Sequence, residues 1–122
     1  MENPKPKTSE ITRLIKAFGY SWEGLCAAFR TESAFRVELI CAAIMLPVSF
    51  FLHVSSGERA LLIFSLFLVL IVELLNSAIE TTVERISSER HPLSKRAKDI
   101  ASAAVLVSLV NAAAVWAVVV FG

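Results

Sequence analysis

The sequence is poor in cysteine and lacks the common nucleotide-binding signatures. Its two cysteines, Cys26 and Cys41, have neither CxxC spacing nor nearby histidine ligands, so we expect free thiols. Nothing in the chain matches a P-loop, a glycine-rich kinase loop or an HRD catalytic loop. Any phosphoryl-transfer chemistry here therefore needs a scaffold unrelated to those.

A cleavable signal peptide is also missing from the sequence. The first apolar run begins only near Val37, after a long polar and charged stretch. We therefore expect the first membrane span to serve as its own insertion signal.

Apolar side chains are abundant. Of the 122 residues, 56% are hydrophobic, and the mean hydropathy is +0.66. This is more apolar surface than a soluble domain of this length can bury. The composition predicts an integral membrane protein with a single domain over 1–122.

Hydrophobic patterning divides the chain into a tail, a surface helix and three spans. Residues 1–8 are polar and contain two prolines, which predicts a disordered tail. Apolar residues at i, i+3, i+4 and i+7 predict an amphipathic helix over 9–31, lying at the membrane surface or packed on a soluble partner. Apolar stretches predict transmembrane helices at 34–54, 58–83 and 97–121, with a loop at 84–96. The expected fold class is an all-α membrane protein.

Lys and Arg predict the orientation of these spans. Six lie on the amino-terminal side, including Arg36 near the start of the first span, five follow the second span, and only Arg59 lies near the connection between the first two spans. Positive charge is retained on the cytoplasmic side. We expect the amino terminus and the second loop to be cytoplasmic, and the carboxyl terminus to be periplasmic.

Four polar residues in the second span share one helix face. Glu73, Asn76, Glu80 and Glu84 are three, four and four residues apart, so they fall within about 80° of one another. A charged side chain at a bilayer centre costs about 2.5 to 3.5 kcal/mol on insertion scales, so acids within spans suggest a functional site. The alternative is that these residues form interhelical hydrogen bonds in an oligomer.

Glu32, where the surface helix meets the first span, has two interpretations. It could form a surface ion pair with Arg36. It could equally pair with Glu80 as a magnesium ligand, because magnesium in phosphoryl-transfer sites takes one or two carboxylates plus phosphate oxygens.

The segment from Glu84 to Asp99 is dense in cations. Such a segment commonly binds lipid headgroups. Its polar residues Glu89, His91 and Asp99 favour a nucleotide pocket, which needs cations for phosphate and polar groups for base and ribose.

Together these residues resemble the small bacterial integral-membrane diacylglycerol kinases over nearly the whole chain. The matching stretches are RLIKAFGYSWEGLCAAF, ESAFRVE, VELLNSAIE, ERISSERH and LSKRAKDIASAAV. The undecaprenol-kinase branch shares the NSAIE-like core, whereas GYSW and AFRVE resemble the diacylglycerol branch. The resemblance implies ATP-dependent phosphorylation of 1,2-diacylglycerol to phosphatidic acid at the cytoplasmic face of the bacterial inner membrane. It further implies a magnesium cofactor and a homotrimer with composite sites between subunits, and no nucleic-acid partner is expected.

The same resemblance assigns roles to individual residues. Glu73 would be the general base, and Glu32 and Glu80 would hold magnesium. The ATP pocket would be formed, with those two glutamates, by Arg13, Tyr20, Asn76, Glu89, His91, Lys98 and Asp99. The lipid, besides meeting Glu73, would contact Arg13, Ala17, Gly19, Ser21, Trp22, Ala27, Ala28, Ala34, Phe35, Arg36, Glu38, Arg59, Ser102 and Trp116.

Three other functions stay open at this point. Undecaprenol kinase is the sister activity. A small cation- or proton-coupled transporter would place acids near the bilayer midplane and show repeat symmetry, whereas Glu73 is off-centre and no internal repeat is visible. A non-catalytic membrane scaffold would tolerate replacement of Glu73 and Glu80 by glutamine.

Overall fold

The chain folds into four α-helices. The computed structural model describes residues 8–86 and 90–122. Helix α1 spans Thr8–Thr31, α2 spans Ser33–Phe51, α3 spans Ser56–Ile86 and α4 spans Pro92–Phe121. The last three are long and apolar enough to cross a membrane. The predicted fold class, an amino-terminal helix followed by three membrane spans, is confirmed.

The helix ends differ in detail from the sequence expectation. Only Glu32 separates α1 from α2, and its backbone is extended, with φ −112° and ψ 104°. Helix α4 begins at Pro92 rather than at residue 97, because proline fits the first helical position and His91 caps the helix by accepting a hydrogen bond from the Leu93 amide at 3.1 Å. The segment expected as a loop at 84–96 is therefore largely helical on both sides of residues 87–89. The predicted tail lies outside the described residues except for Thr8, which begins α1.

Helix α3 is the central element. It packs along α4 and α2, whereas α1 packs against α2. The buried core is small, and its fully buried large side chains are Phe35 of α2 and Leu62 of α3. Most apolar side chains on the spans are exposed on the isolated chain. In a membrane, lipid tails or neighbouring helices cover such apolar surfaces. The fold therefore does not need a large internal core to keep apolar side chains away from water.

Arg59 fixes the register between α2 and α3. Its Nε atom donates to the Ser49 carbonyl and its Nη2 atom donates to the Leu52 carbonyl, both at 2.9 Å. These bonds bring the start of α3 level with the end of α2. At 1.5 Å per residue the 19 residues of α2 span about 28 Å, which matches a hydrocarbon core of roughly 30 Å.

Helices α3 and α4 are longer than this membrane core. Their 31 and 30 residues correspond to about 46 and 45 Å, so the excess of about 16 Å lies at the end where the two helices connect. We call this part, residues 77–86 and 90–100, the projecting hairpin. It contains most of the charged residues that follow the second span, and it positions them above the spans.

Candidate active site

The polar face of α3 runs from the buried interior of the spans into the projecting hairpin. Glu73 is 3% exposed, and Asn76 and Ser77 are also buried. One turn later Glu80 is half-buried, and Glu84 is exposed. Counted from Ser56, Glu73 lies about 25 Å along α3, close to the level at which α2 begins. This face therefore connects the buried carboxylate of Glu73 to the solvent-exposed surface at Glu84.

Four carboxylates meet near this level. Glu73 lies close enough to Glu32 and Glu80 for their charges to repel, and Glu38 of α2 is in the same relation to Glu73. Glutamates from the α1–α2 corner, from α2 and from α3 therefore lie within electrostatic range of Glu73. The pairing of Glu32 with Glu80 stays a prediction. Like charges brought together away from water require a compensating cation or proton.

These carboxylates suit a hard cation that brings further ligands of its own. Within residues 8–86 and 90–122, no group of three or more His, Cys, Asp or Glu side chains is arranged to hold a metal alone. Magnesium needs fewer protein ligands where phosphate oxygens and water complete its octahedron. Carboxylate oxygens are the donors that this ion prefers, so Glu32 and Glu80 fit such a role.

Asn76 orients one of the carboxylates. Its Nδ2 atom donates to Oε1 of Glu80 at 3.3 Å, and its own Oδ1 atom is buried without a hydrogen-bond partner. A buried amide oxygen with no partner is unusual in a folded protein. It can accept a hydrogen bond from a ligand in this site.

An apolar groove lies beside the carboxylates, between α2 and α4 and over α3. Its volume is about 550 Å³, and its lining includes Ala34, Val37, Glu38, Leu66, Val69 and Trp116. Oε2 of Glu38 and Nε1 of Trp116 are buried without partners. A long apolar groove with a few polar atoms suits a lipid that carries a polar end. The groove brings together three predicted lipid contacts, Ala34, Glu38 and Trp116.

The predicted contacts on α1 lie away from this groove within one chain. The exposed members of this set are Arg13, Ala17, Gly19, Tyr20, Ser21, Trp22 and Ala27, and only Ala28 is buried. Arg13 is 19 residues before Glu32, which is about 28 Å along a helix. Within one chain the main packing of α1 is against α2, and Arg13 lies near the opposite end of α1 from Glu32.

Two predicted lipid contacts cap helix ends. Arg36 donates from Nη1 to the carbonyl oxygens of Phe29 and Arg30 at 2.8 and 3.0 Å, rather than pairing with Glu32. Arg59 caps α2 as described above, about 21 Å along α3 from Glu73. Both arginines donate to carbonyl groups at a helix end, where the next turn of helix that would supply an amide donor is missing. Of the remaining residues predicted to contact lipid, Phe35 is buried in the core and Ser102 is exposed on α4.

The predicted nucleotide residues of α4 lie on the projecting hairpin. Lys98 is half-buried, and the exposed Asp99 pairs with Lys95 at 2.6 Å. His91 is exposed at the amino-terminal cap of α4. Glu89 lies outside the described residues. The projecting hairpin thus carries cations and polar groups outside the membrane core, beyond Glu80.

One buried polar residue of this face was missed in the sequence. Ser77 is one residue after Asn76 and four after Glu73, and its hydroxyl has no hydrogen-bond partner. The i+4 spacing from Glu73 was the signal that could have identified it. Serine is a weaker signal than glutamate, because burying a hydroxyl costs less free energy than burying a charge.

The chain is similar to known proteins over most of its length. The family model described as prokaryotic diacylglycerol kinase matches residues 19–120. A diacylglycerol kinase of Pseudomonas aeruginosa is 54% identical over 112 residues, which cover 92% of this chain and 91% of the relative. The diacylglycerol kinase of Escherichia coli K12 is 49% identical over 93% of this chain and 93% of the relative. The diacylglycerol kinase of Haemophilus influenzae is 48% identical over 94% of this chain and 98% of the relative.

Proposed function

The chain belongs to the prokaryotic diacylglycerol kinase family, and from that premise we propose that it transfers the γ-phosphoryl group of magnesium-ATP to the free hydroxyl of 1,2-diacylglycerol. The products are phosphatidic acid and ADP. The observation that carries this proposal is the buried Glu73, set among other carboxylates and beside an apolar groove. A water-soluble and a lipid reactant can meet at that level.

Glu73 is the proposed general base. A phosphoryl acceptor must lose its hydroxyl proton as the new P–O bond forms, and a carboxylate within hydrogen-bond reach can take it. General-base assistance contributes about 10²- to 10⁴-fold to a rate. Glu73 is the most buried acid in the described part of the chain, so it is shielded from water that would compete with the lipid hydroxyl.

Glu32 and Glu80 are the proposed residues that would hold magnesium, and the ion, when bound, would supply positive charge that offsets the charge of the phosphates. Asn76 supports this role because its amide holds the Glu80 carboxylate in place. The remaining proposed ATP contacts lie on the projecting hairpin and on α1, and they are Arg13, Tyr20, Glu89, His91, Lys98 and Asp99. A cation such as Lys98 offsets charge on the phosphates.

The groove between α2 and α4 is the proposed path for the lipid. Its apolar lining suits acyl chains. The unpartnered Oε2 of Glu38 can accept from a glycerol hydroxyl, and the unpartnered Nε1–H of Trp116 can donate to an ester oxygen. The hydroxyl to be phosphorylated would then approach Glu73 from within the membrane.

We also propose a homotrimer with shared sites, and the position of α1 supports this proposal. The residues that the resemblance assigns to ATP on α1 are exposed and remote from Glu80 along the chain. Donation of α1 from a neighbouring copy would bring them to the site. We further propose that the amino terminus and the projecting hairpin face the cytoplasm, where ATP is present, because they carry eleven of the twelve Lys and Arg residues.

The test is transfer of labelled γ-phosphate from magnesium-ATP in mixed micelles that contain either diacylglycerol or undecaprenol. We expect label in phosphatidic acid, and we expect Glu73→Gln to lower the rate by at least about 10²-fold. Glu84→Gln is the matched control, because Glu84 lies on the same face but is exposed. Label on undecaprenol alone would assign the sister activity, and no transfer to either lipid would reject a kinase.

A further inference from the structure

Ser77 is a buried hydroxyl without a partner on the face that carries Glu73. It is 9% exposed, and its Oγ atom is shielded from water without a hydrogen bond in the described part of the chain. A hydroxyl transferred from water into an apolar environment without a partner is destabilising by about 1 to 3 kcal/mol in protein mutational data. An unsatisfied group of this kind calls for an explanation.

The hydroxyls of the other buried serines form hydrogen bonds within their own helices. Ser49, Ser65 and Ser108 each donate to a carbonyl three residues earlier in their own helix, at 2.6, 2.8 and 2.7 Å. Thr81, one turn after Ser77, likewise donates to the Ser77 carbonyl at 2.9 Å. The Ser77 hydroxyl is the exception among the buried serines of residues 8–86 and 90–122.

The position of Ser77 on α3 suggests what its hydroxyl meets. It lies about 6 Å along the helix axis from Glu73 and about 4.5 Å from Glu80. Its direction is about 40° from that of Glu73 and about 60° from that of Glu80, so all three point to the same side. If Glu73 receives the proton of the acceptor and Glu80 lies at the ATP phosphates, the phosphoryl group passes between those two levels.

We propose that the Ser77 hydroxyl donates a hydrogen bond to a non-bridging oxygen of the phosphoryl group while that group is being transferred. The inference rests on the proposed function. The hydroxyl keeps its proton, and the only bonds that change are the P–O bond broken at ADP and the P–O bond formed at the lipid oxygen. A fixed donor of this kind acts on charge that develops in the transition state.

Two properties distinguish this role from packing. Removal of a donor used only in the transition state lowers kcat and leaves KM nearly unchanged. Removal of a buried hydroxyl that has no partner in the resting protein should not destabilise the fold. Ser77→Ala is therefore expected to lose rate while keeping or gaining stability.

The experiment compares the parent chain, Ser77→Ala and Ser65→Ala in the mixed-micelle assay, with unfolding followed in parallel. We expect Ser77→Ala to lower kcat about 10- to 100-fold, with KM for ATP and for diacylglycerol within about twofold of the parent and an unfolding midpoint at or above that of the parent. Ser65→Ala removes the hydroxyl of another buried serine, about 18 Å from Ser77 along α3, and should leave kcat unchanged.

Three results would overturn the inference. They are an unchanged kcat in Ser77→Ala, a fall in kcat that accompanies an equal loss of stability, and a rise in KM for one substrate with kcat preserved. A parent chain without kinase activity would instead reject the proposed function. The two failures are therefore distinguishable in one set of measurements.

Discussion

Replacing Arg59 tests whether this arginine holds the helices together or contacts the lipid. The guanidinium donates to the Ser49 and Leu52 carbonyls, both at 2.9 Å. The Leu52 carbonyl also accepts from the Val54 amide at 3.1 Å, so it keeps a partner if Arg59 is removed. The Ser49 carbonyl lies in the last turn of α2, and the guanidinium supplies its hydrogen bond there.

The magnitude follows from that single carbonyl. Leaving a buried acceptor unsatisfied costs about 1 to 3 kcal/mol. Water reaches the membrane boundary and replaces part of the lost bond, so we expect Arg59→Ala to destabilise the chain by about 1 to 2 kcal/mol. Arg59→Lys, which restores one donor and the charge, should recover part of this loss.

The assay is reversible unfolding in mixed micelles of a mild detergent and sodium dodecyl sulfate, with KM for diacylglycerol measured under native conditions. We expect a lower unfolding free energy with an unchanged KM, because Arg59 lies about 21 Å along α3 from Glu73. An unchanged unfolding free energy together with a raised KM would refute the capping role. It would instead support the lipid contact that the family resemblance implies.

Two further predictions follow from the core and from the carboxylates. Leu62 is 0% exposed, so Leu62→Ala should destabilise the chain by about 2 to 5 kcal/mol in the same unfolding assay, and a loss below 1 kcal/mol would show that the site collapses around the smaller side chain. Glu80→Gln should raise the magnesium concentration for half-maximal rate by about tenfold, as expected for a lost ligand contribution of roughly 1.4 kcal/mol, whereas Glu84→Gln should leave it unchanged. Equal effects in a magnesium titration of these two variants would remove Glu80 from the cation site.

Local periodicity made the polar face of α3 predictable. Glu73, Asn76 and Glu80 fall on one side of any regular helix, and the structure has them buried or half-buried on one face. The start of α4 was predicted five residues late, because hydropathy defined the span and the helix-starting pair of His91 and Pro92 was not used.

Contacts between chain segments could not be predicted from spacing. The carbonyl groups that Arg36 and Arg59 cap depend on how consecutive helices turn, and the sequence pattern does not encode the direction of that turn. The charge proximity of Glu38 to Glu73 likewise requires α2 and α3 to be in register. Ser77 could not be predicted from its residue type, because a serine in a long helix is ordinarily satisfied by a carbonyl of its own helix.

The unequal lengths of α2 and α3 make this chain sensitive to the thickness of its host membrane. Helix α2 is just long enough to cross a hydrocarbon core of roughly 30 Å, whereas the longer α3 can also cross a thicker bilayer. In a bilayer of longer acyl chains, the hydrocarbon core would extend beyond the first residues of α2 and would enclose Glu73. Local thinning of the bilayer around the protein would be the alternative response. We expect the phosphorylation rate to depend on the chain length of the surrounding lipid even when the diacylglycerol substrate is held constant.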